Sequence, residues 1–234
     1  YQVLCVLAGI AQSASKFSLD LRLLQSPVFG EMAEPFGKQQ VGSSAMPFKR
    51  NPVASESVCS LARYVAGLPR VAWDNAAYSA LERTLDDSAN RRSALPEAFL
   101  AVDDILLRMT RTVKGLRIGR EGIRRNLETY GPFAATEPLL MALVKAGADR
   151  QDMHERIREC SMAAWSAVQQ GEPNPLAELL AGDAAITSYL APEQVRAILA
   201  EGADVGDAPA RSRELARLIR QTIASSGTTG SIEK

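Results

Sequence analysis

The stretch Gly42-Ser43-Ser44-Ala45-Met46-Pro47-Phe48-Lys49-Arg50-Asn51-Pro52 interrupts the apolar rhythm of the chain and then restarts it. No helical or alternating apolar period runs through it, so it does not fill a core. It ends in a helix start: Asn51 is a good N-cap residue and Pro52 a good first helical residue. The helix this predicts spans 53–77, with Val58, Leu61, Val65 and Leu68 as its core stripe.

Working outward, almost everything else reads as helix. Residues 2–24 are apolar on most sides, with Leu4, Leu7, Ile10, Ala11 and Ala14 on one stripe, as in a helix inside a bundle. Residues 25–52 are irregular, punctuated by Pro27, Gly30, Pro35, Gly37 and Gly42. After a connection at 78–87, Leu95, Phe99, Val102, Leu106 and Met109 recur at helical spacing to about residue 116. Pro96 lies inside that pattern and predicts a kink or a late start. Beyond residue 118 the elements shorten, to helices near 120–128, 132–146, 149–170, 174–181, 192–201 and 208–224. Gly147 suits a C-cap, and Asp149 or Arg150 opens the next helix. Met141, Met153 and Trp165 read as core residues. No segment is rich in strand signals. The fold class is therefore all-α, with two domains, 1–118 and 119–234. Residue 1 is Tyr and a helical pattern begins at once without a cap, which reads as part of a longer chain.

The chain has 234 residues and equal numbers of acidic and basic side chains, so no global field favours nucleic acid or an anionic membrane. No apolar run reaches membrane-spanning length. Cys5, Cys59 and Cys160 are far apart and lack metal-ligand spacing. Buried thiols in a reduced, cytoplasmic chain are the simple reading.

The loop chemistry follows from its residue types. A serine hydroxyl is too weak an acid to serve as a base unaided. An ammonium, backbone N–H donors or the positive end of a helix can depress its pKa. Lys49, the Gly42-Ser43-Ser44 backbone and the helix after Pro52 offer these three. Arg50 and Asn51 add donors suited to a carboxylate, and Glu56 is placed to pair with Lys49 and orient it. The plain alternative is a solvated Gly/Ser loop ahead of a helix.

This string resembles the signature of the fumarase/aspartase superfamily of lyases, Gly-Ser-Ser-x-Met-Pro-x-Lys-x-Asn-Pro, and meets every fixed position. The resemblance implies a long-helix bundle followed by a smaller helical domain, a homotetramer with shared active sites, and β-elimination that releases fumarate. It implies Ser43 as the general base, with Ser44 as the alternative. Lys49 and Asn51 would stabilise the aci-carboxylate, while Ser44 and Met46 would contact substrate. Phe48 departs from the Tyr or His commoner there, and Ser57 from the Arg of some relatives.

A second cluster lies at Arg83-Thr84-Leu85-Asp86-Asp87-Ser88-Ala89-Asn90-Arg91-Arg92. The spacing leaves Arg83 in a connection and puts Ser88 and Arg92 one turn apart on a new helix, with Asp86 or Asp87 as cap. Two guanidiniums, a hydroxyl and a helix start suit a phosphate. A surface charge cluster with internal Arg–Asp pairs is the competing reading. The string is similar to one in adenylosuccinate lyases, whose two arginines and serine hold the nucleotide phosphate. Lys38-Gln39-Gln40, the stretches 133–137 and 141–147, and Arg150-Gln151-Asp152-Met153-His154-Glu155 extend the similarity.

This second resemblance implies cleavage of adenylosuccinate to AMP and fumarate in purine biosynthesis, together with the parallel cleavage of the succinyl-aminoimidazole-carboxamide ribotide. It implies a small-molecule nucleotide substrate, and neither a metal nor an organic cofactor, nucleic acid nor membrane. His154, the one histidine, reads as structural, because the general acid of this family comes from an earlier part of its chain. The chain by itself would then lack that acid. Another superfamily lyase, such as a cycloisomerase or argininosuccinate lyase, and an inactive helical assembly module are the rival readings.

Overall fold

Leu4, Leu7, Ala11 and Ala14 fall on one side of a long helix, α1 (Gln2–Leu24), and are buried there in this computed structural model. The structure describes residues 1–37, 46, 48–200 and 205–225. Contacts divide the chain into two units, 1–125 and 126–234.

The first unit is a bundle of α1, α2 (Val53–Ala77) and α3 (Asp87–Lys114). Its core is Leu4, Leu7, Ala11, Ala14, Val58, Ala62, Val65, Leu68, Ala94, Ala98, Val102 and Ile105. The stripe expected on α3 is rotated. Ala94, Ala98, Val102 and Ile105 face inward, whereas Phe99 and Leu106 are 55% and 46% exposed. Alanines on the inner face let helix backbones approach closely, so the large side chains fall on the other side. Ile10 likewise lies outside the core. Nor does α3 start late: it runs unbroken from Asp87 through Pro96. Pro96 and Arg92 are both exposed, so water can take the carbonyl that the proline leaves without a donor.

Two short strands were not legible in the sequence. β1 (Met32–Ala33) pairs antiparallel with β2 (Arg117–Ile118), in the register Met32 to Ile118 and Ala33 to Arg117. Beside them the Ser26–Gly30 turn packs onto the start of α4 (Arg120–Ala134). The contact needs glycines. A Cβ at Gly122 would sit 2.2 Å from the Gly30 carbonyl oxygen, and one at Gly119 would sit 2.0 Å from it. Gly30 itself is left-handed, at φ +62°. Arg125 donates from Nη2 to the carbonyls of Val28 and Phe29, at 3.1 and 3.0 Å.

The second unit comprises the end of α4, α5 (Thr136–Lys145), α6 (Arg150–Gln169), α7 (Leu176–Gly182), α8 (Ala184–Thr187), α9 (Pro192–Ala200) and α10 (Ala208–Ser225). Its core gathers Leu139, Leu143, Met153, Ile157, Leu176, Leu180, Ile186 and Val195. The break expected at 129–131 is absent: α4 continues through Gly131 and Pro132. Met141 and Trp165 are exposed rather than core, and Trp165 meets Tyr130 and Phe133 at ring-centroid distances of 6.4 and 5.7 Å. Gly147, at φ +96°, ends α5 as anticipated, and Ala148 N–H reaches back to the Leu143 carbonyl at 3.1 Å. No helix among the described residues is long and apolar enough to cross a membrane. The three thiols are free: Cys59 is buried, Cys5 and Cys160 partly so.

Candidate functional site

The start of α2 fixes the candidate site, and it differs from the sequence expectation. Asn51 does not cap the helix. Pro52 occupies the cap position without a side-chain bond, and the helix begins at Val53. Its first free amides are taken instead by the carboxylate of Glu34, twenty residues upstream. Glu34 accepts from Ala54 N–H at 3.1 Å and from Ser55 N–H at 2.5 Å. A carboxylate there also meets the positive end of the helix dipole.

Gln25 joins the same frame from the end of α1. Its Oε1 accepts from Glu34 N–H at 2.9 Å, and its Nε2 donates to the Arg50 carbonyl at 3.0 Å. The Arg50 guanidinium lies 4.9 Å from the Phe36 ring centroid, a cation–π contact. Sequence reading missed Gln25, Glu34 and Phe36, because each acts on backbone or a ring that only the fold brings near.

Lys49, Asn51 and Glu56 line one cavity of about 630 Å³, together with Arg22, Arg50 and Arg117. Among the described residues no ion pair joins Lys49 to Glu56, though both line the cavity. Ser43 and Ser44 lie outside the described residues. Met46 is exposed. Ser55 Oγ is buried and has no hydrogen-bond partner among the described residues.

Arg83 lines a second cavity of about 440 Å³ in the same unit, with Thr84, Asp87 and Arg91. Arg91 pairs with Asp87 at 3.2 Å, and Thr84 and Asp86 are hydrogen-bonded to each other in the turn before α3. Ser88 is half-buried on the first turn of α3 and Arg92 is exposed, and neither belongs to that lining. In the single chain, then, Arg83 shares its cavity lining with Arg91 and not with Arg92. His154 lies exposed on α6 in the second unit, beside Arg150, Arg158 and Ser161. Among the described residues no cluster of His, Cys, Asp and Glu is placed to hold a metal.

The helical bundle is that of the fumarate lyases. A fumarate lyase from Mesorhizobium sp. BNC1 superposes with a TM-score of 0.74 at 23% identity, over 89% of this chain and 44% of that one. The 3-carboxy-cis,cis-muconate lactonizing enzyme of Pseudomonas putida gives 0.70 at 25% identity, over 84% and 41%. The family described as Lyase matches residues 1–67, and the one described as Adenylosuccinate lyase C-terminus matches residues 132–214. The adenylosuccinate lyase of Schizosaccharomyces pombe is 41% identical over 210 residues, covering 88% of this chain and 42% of that protein. That of Archaeoglobus fulgidus is 35% identical over 223 residues, covering 93% and 48%. Within the fumarate-lyase class, the chain belongs to the adenylosuccinate lyase family. It spans less than half the length of these curated relatives.

Proposed function

We propose that this chain carries the serine–lysine part of an adenylosuccinate lyase. The enzyme eliminates fumarate from adenylosuccinate to leave AMP, and from the succinyl-aminoimidazole-carboxamide ribotide in the same way, in purine biosynthesis. The observation that carries this reading is the gathering of Lys49, Asn51 and Glu56 around one cavity at the end of the Gly42–Pro52 string.

The reaction divides among residue types. Ser43 takes the proton from the carbon next to a carboxylate, and the electron pair moves into that carboxylate to form the aci-carboxylate. Lys49 and Asn51 stabilise the added charge, where an ammonium and an amide donor are most effective in a site closed to water. The pair then returns, the carbon–nitrogen bond breaks, and a general acid protonates the departing nitrogen. Glu56 orients Lys49, Ser44 and Met46 contact substrate, and Arg83, Ser88 and Arg92 hold the phosphate. Every bond made or broken is met by acid, base and electrostatics.

The helix faces support an assembly. Small residues of α3 fill the interior of the bundle, while Phe99, Leu100, Leu106 and Leu107 stand exposed on the same helix, as do Val3, Val6 and Ile10 on α1. Apolar patches of that kind mark surfaces that another chain covers. A homotetramer with shared active sites brings Arg92 of one copy to a site where it need not meet Arg83 of the same copy. Residues 1–118 belong to the central bundle domain of such an enzyme and 119–234 to its C-terminal domain, in a cytoplasmic protein.

The test is fumarate release from adenylosuccinate by the whole protein that contains this chain, with Ser43→Ala and Arg92→Ala alongside. We expect Ser43→Ala to abolish turnover and Arg92→Ala to raise KM. Intact turnover in Ser43→Ala removes the base assignment, and unchanged affinity in Arg92→Ala removes the phosphate assignment. Turnover only of a substrate without phosphate favours another lyase of the superfamily.

A further inference from the structure

We infer that Glu34 and Gln25 are positioning residues for the elimination, holding the Lys49–Asn51 backbone so that Asn51 is free to face the substrate. The inference rests on the lyase reading above and names how that site is built. Its starting point is a local rule that this sequence breaks. Asn is among the best N-cap residues, and an Asn-Pro pair ahead of a helical pattern predicts an Asn cap. A capping Asn spends its side-chain oxygen on its own helix. At α2 no side-chain bond comes from the cap position, and the Glu34 carboxylate serves Ala54 and Ser55 instead. Asn51 lines the cavity beside Lys49 and Glu56.

Gln25 makes the arrangement rigid across the chain. One amide side chain bridges two backbones, accepting from Glu34 and donating to Arg50. Arg50 is the residue between Lys49 and Asn51, and its carbonyl lies in the peptide plane that leads into Asn51, so the bond from Gln25 fixes the backbone where Asn51 begins. The Glu34 segment is itself held by the β1–β2 pairing at Ala33 and Arg117. Misplacing a catalytic group by about 1 Å costs up to 10²-fold in rate. A polar clamp on the backbone at Arg50 is therefore worth far more to catalysis than its share of folding stability.

The experiment is steady-state kinetics of adenylosuccinate cleavage by the whole protein that contains this chain and by its variants. We expect Glu34→Ala to lower kcat by on the order of 10²-fold with a much smaller change in KM. Glu34→Gln keeps an acceptor oxygen and should restore much of the loss. Adding Glu34→Ala to Asn51→Ala should lower kcat little further, because both remove the same contribution. If Glu34→Ala does not fold, Gln25→Leu cuts only the bridge to Arg50, and we expect about a tenfold loss in kcat. Unchanged kcat in a folded Glu34 or Gln25 variant, or losses that multiply with Asn51→Ala, would overturn the inference. Absence of turnover in the unaltered whole protein that contains this chain overturns the lyase reading instead. Amide exchange then decides the clamp alone: faster exchange at Ala54 and Ser55 in Glu34→Ala than in Glu34→Gln supports it, and equal exchange in the two refutes it.

Discussion

Two helix starts in this molecule solve one problem in opposite ways. At α6 the first amides are met locally: Asp149 accepts from Gln151 and Asp152 N–H, at 2.8 and 3.1 Å. At α2 they are met from a distance by Glu34, although Asn51, two residues before the first helical residue, is of a type that caps well. The α6 start asks nothing more of its neighbours, and a side chain from the adjacent residue closes it without a tertiary contact. The α2 start borders a cavity, and its flanking side chains Lys49 and Asn51 line it. Local rules hold where the sequence serves only the fold, and they fail where a side chain is wanted for something else.

The largest expected contrast is in turnover. Lys49→Ala should lower kcat for adenylosuccinate by on the order of 10²–10³-fold, the usual effect of removing one donor from a developing anion. Asp149→Ala should leave kcat unchanged in the same assay. Equal losses from both would mean that the helix starts differ in nothing but sequence distance.

Next comes the support of the remote cap. Gly122→Ala would place a Cβ 2.2 Å from the Gly30 oxygen and 2.6 Å from its carbon. Backbone cannot yield as a flexible side chain does, so the turn at 28–31 must move, and overpacking of this kind costs about 1–3 kcal/mol. Urea unfolding should show that loss, with a fall in kcat because the same turn leads into Glu34. A stability loss without any change in kcat would separate the turn from the site. At the local start, Asp149→Ala should cost about 1 kcal/mol, read from the same unfolding curves.

The sequence made much of this legible. Helix α2 was predicted at 53–77 and is found at Val53–Ala77, because Pro52 marks the start and Val58, Val65 and Leu68 keep a helical period. Lys49, Asn51 and Glu56 were named together from one string and line one cavity. What escaped was whatever depends on two distant segments meeting. Two-residue strands carry no period to detect, and Glu34 looks like any loop carboxylate until the amides of α2 arrive beside it. The stripe on α3 was misread because size was taken for burial. Ala94 and Ala98 lie inside since close helix packing wants small residues, and hydrophobicity alone does not distinguish the face that meets its own chain from the face that stays exposed.

The smallest effect tests how the second unit is held outside its core. Glu178 and Arg196 join α7 to α9, with Arg196 Nη2 2.8 Å from Glu178 Oε2. The hydrogen bond from Arg196 holds the Glu178 carboxyl below its ordinary value of about 4.5. A depressed carboxylate pKa means the folded state binds the proton less readily than the unfolded chain. The contribution is therefore complete above about pH 4.5 and fades as pH falls through the lower, folded value. Both side chains are largely exposed, at 44% and 69%, so solvent and salt reduce the effect to a small one. Arg196→Gln should lower the Tm slightly at pH 7, and the difference from the unaltered chain should shrink towards zero on acidification below the carboxylate range. A difference that persists in acid would mean that Arg196 stabilises through the packing of its aliphatic stem, because no protonation of Glu178 could then remove it.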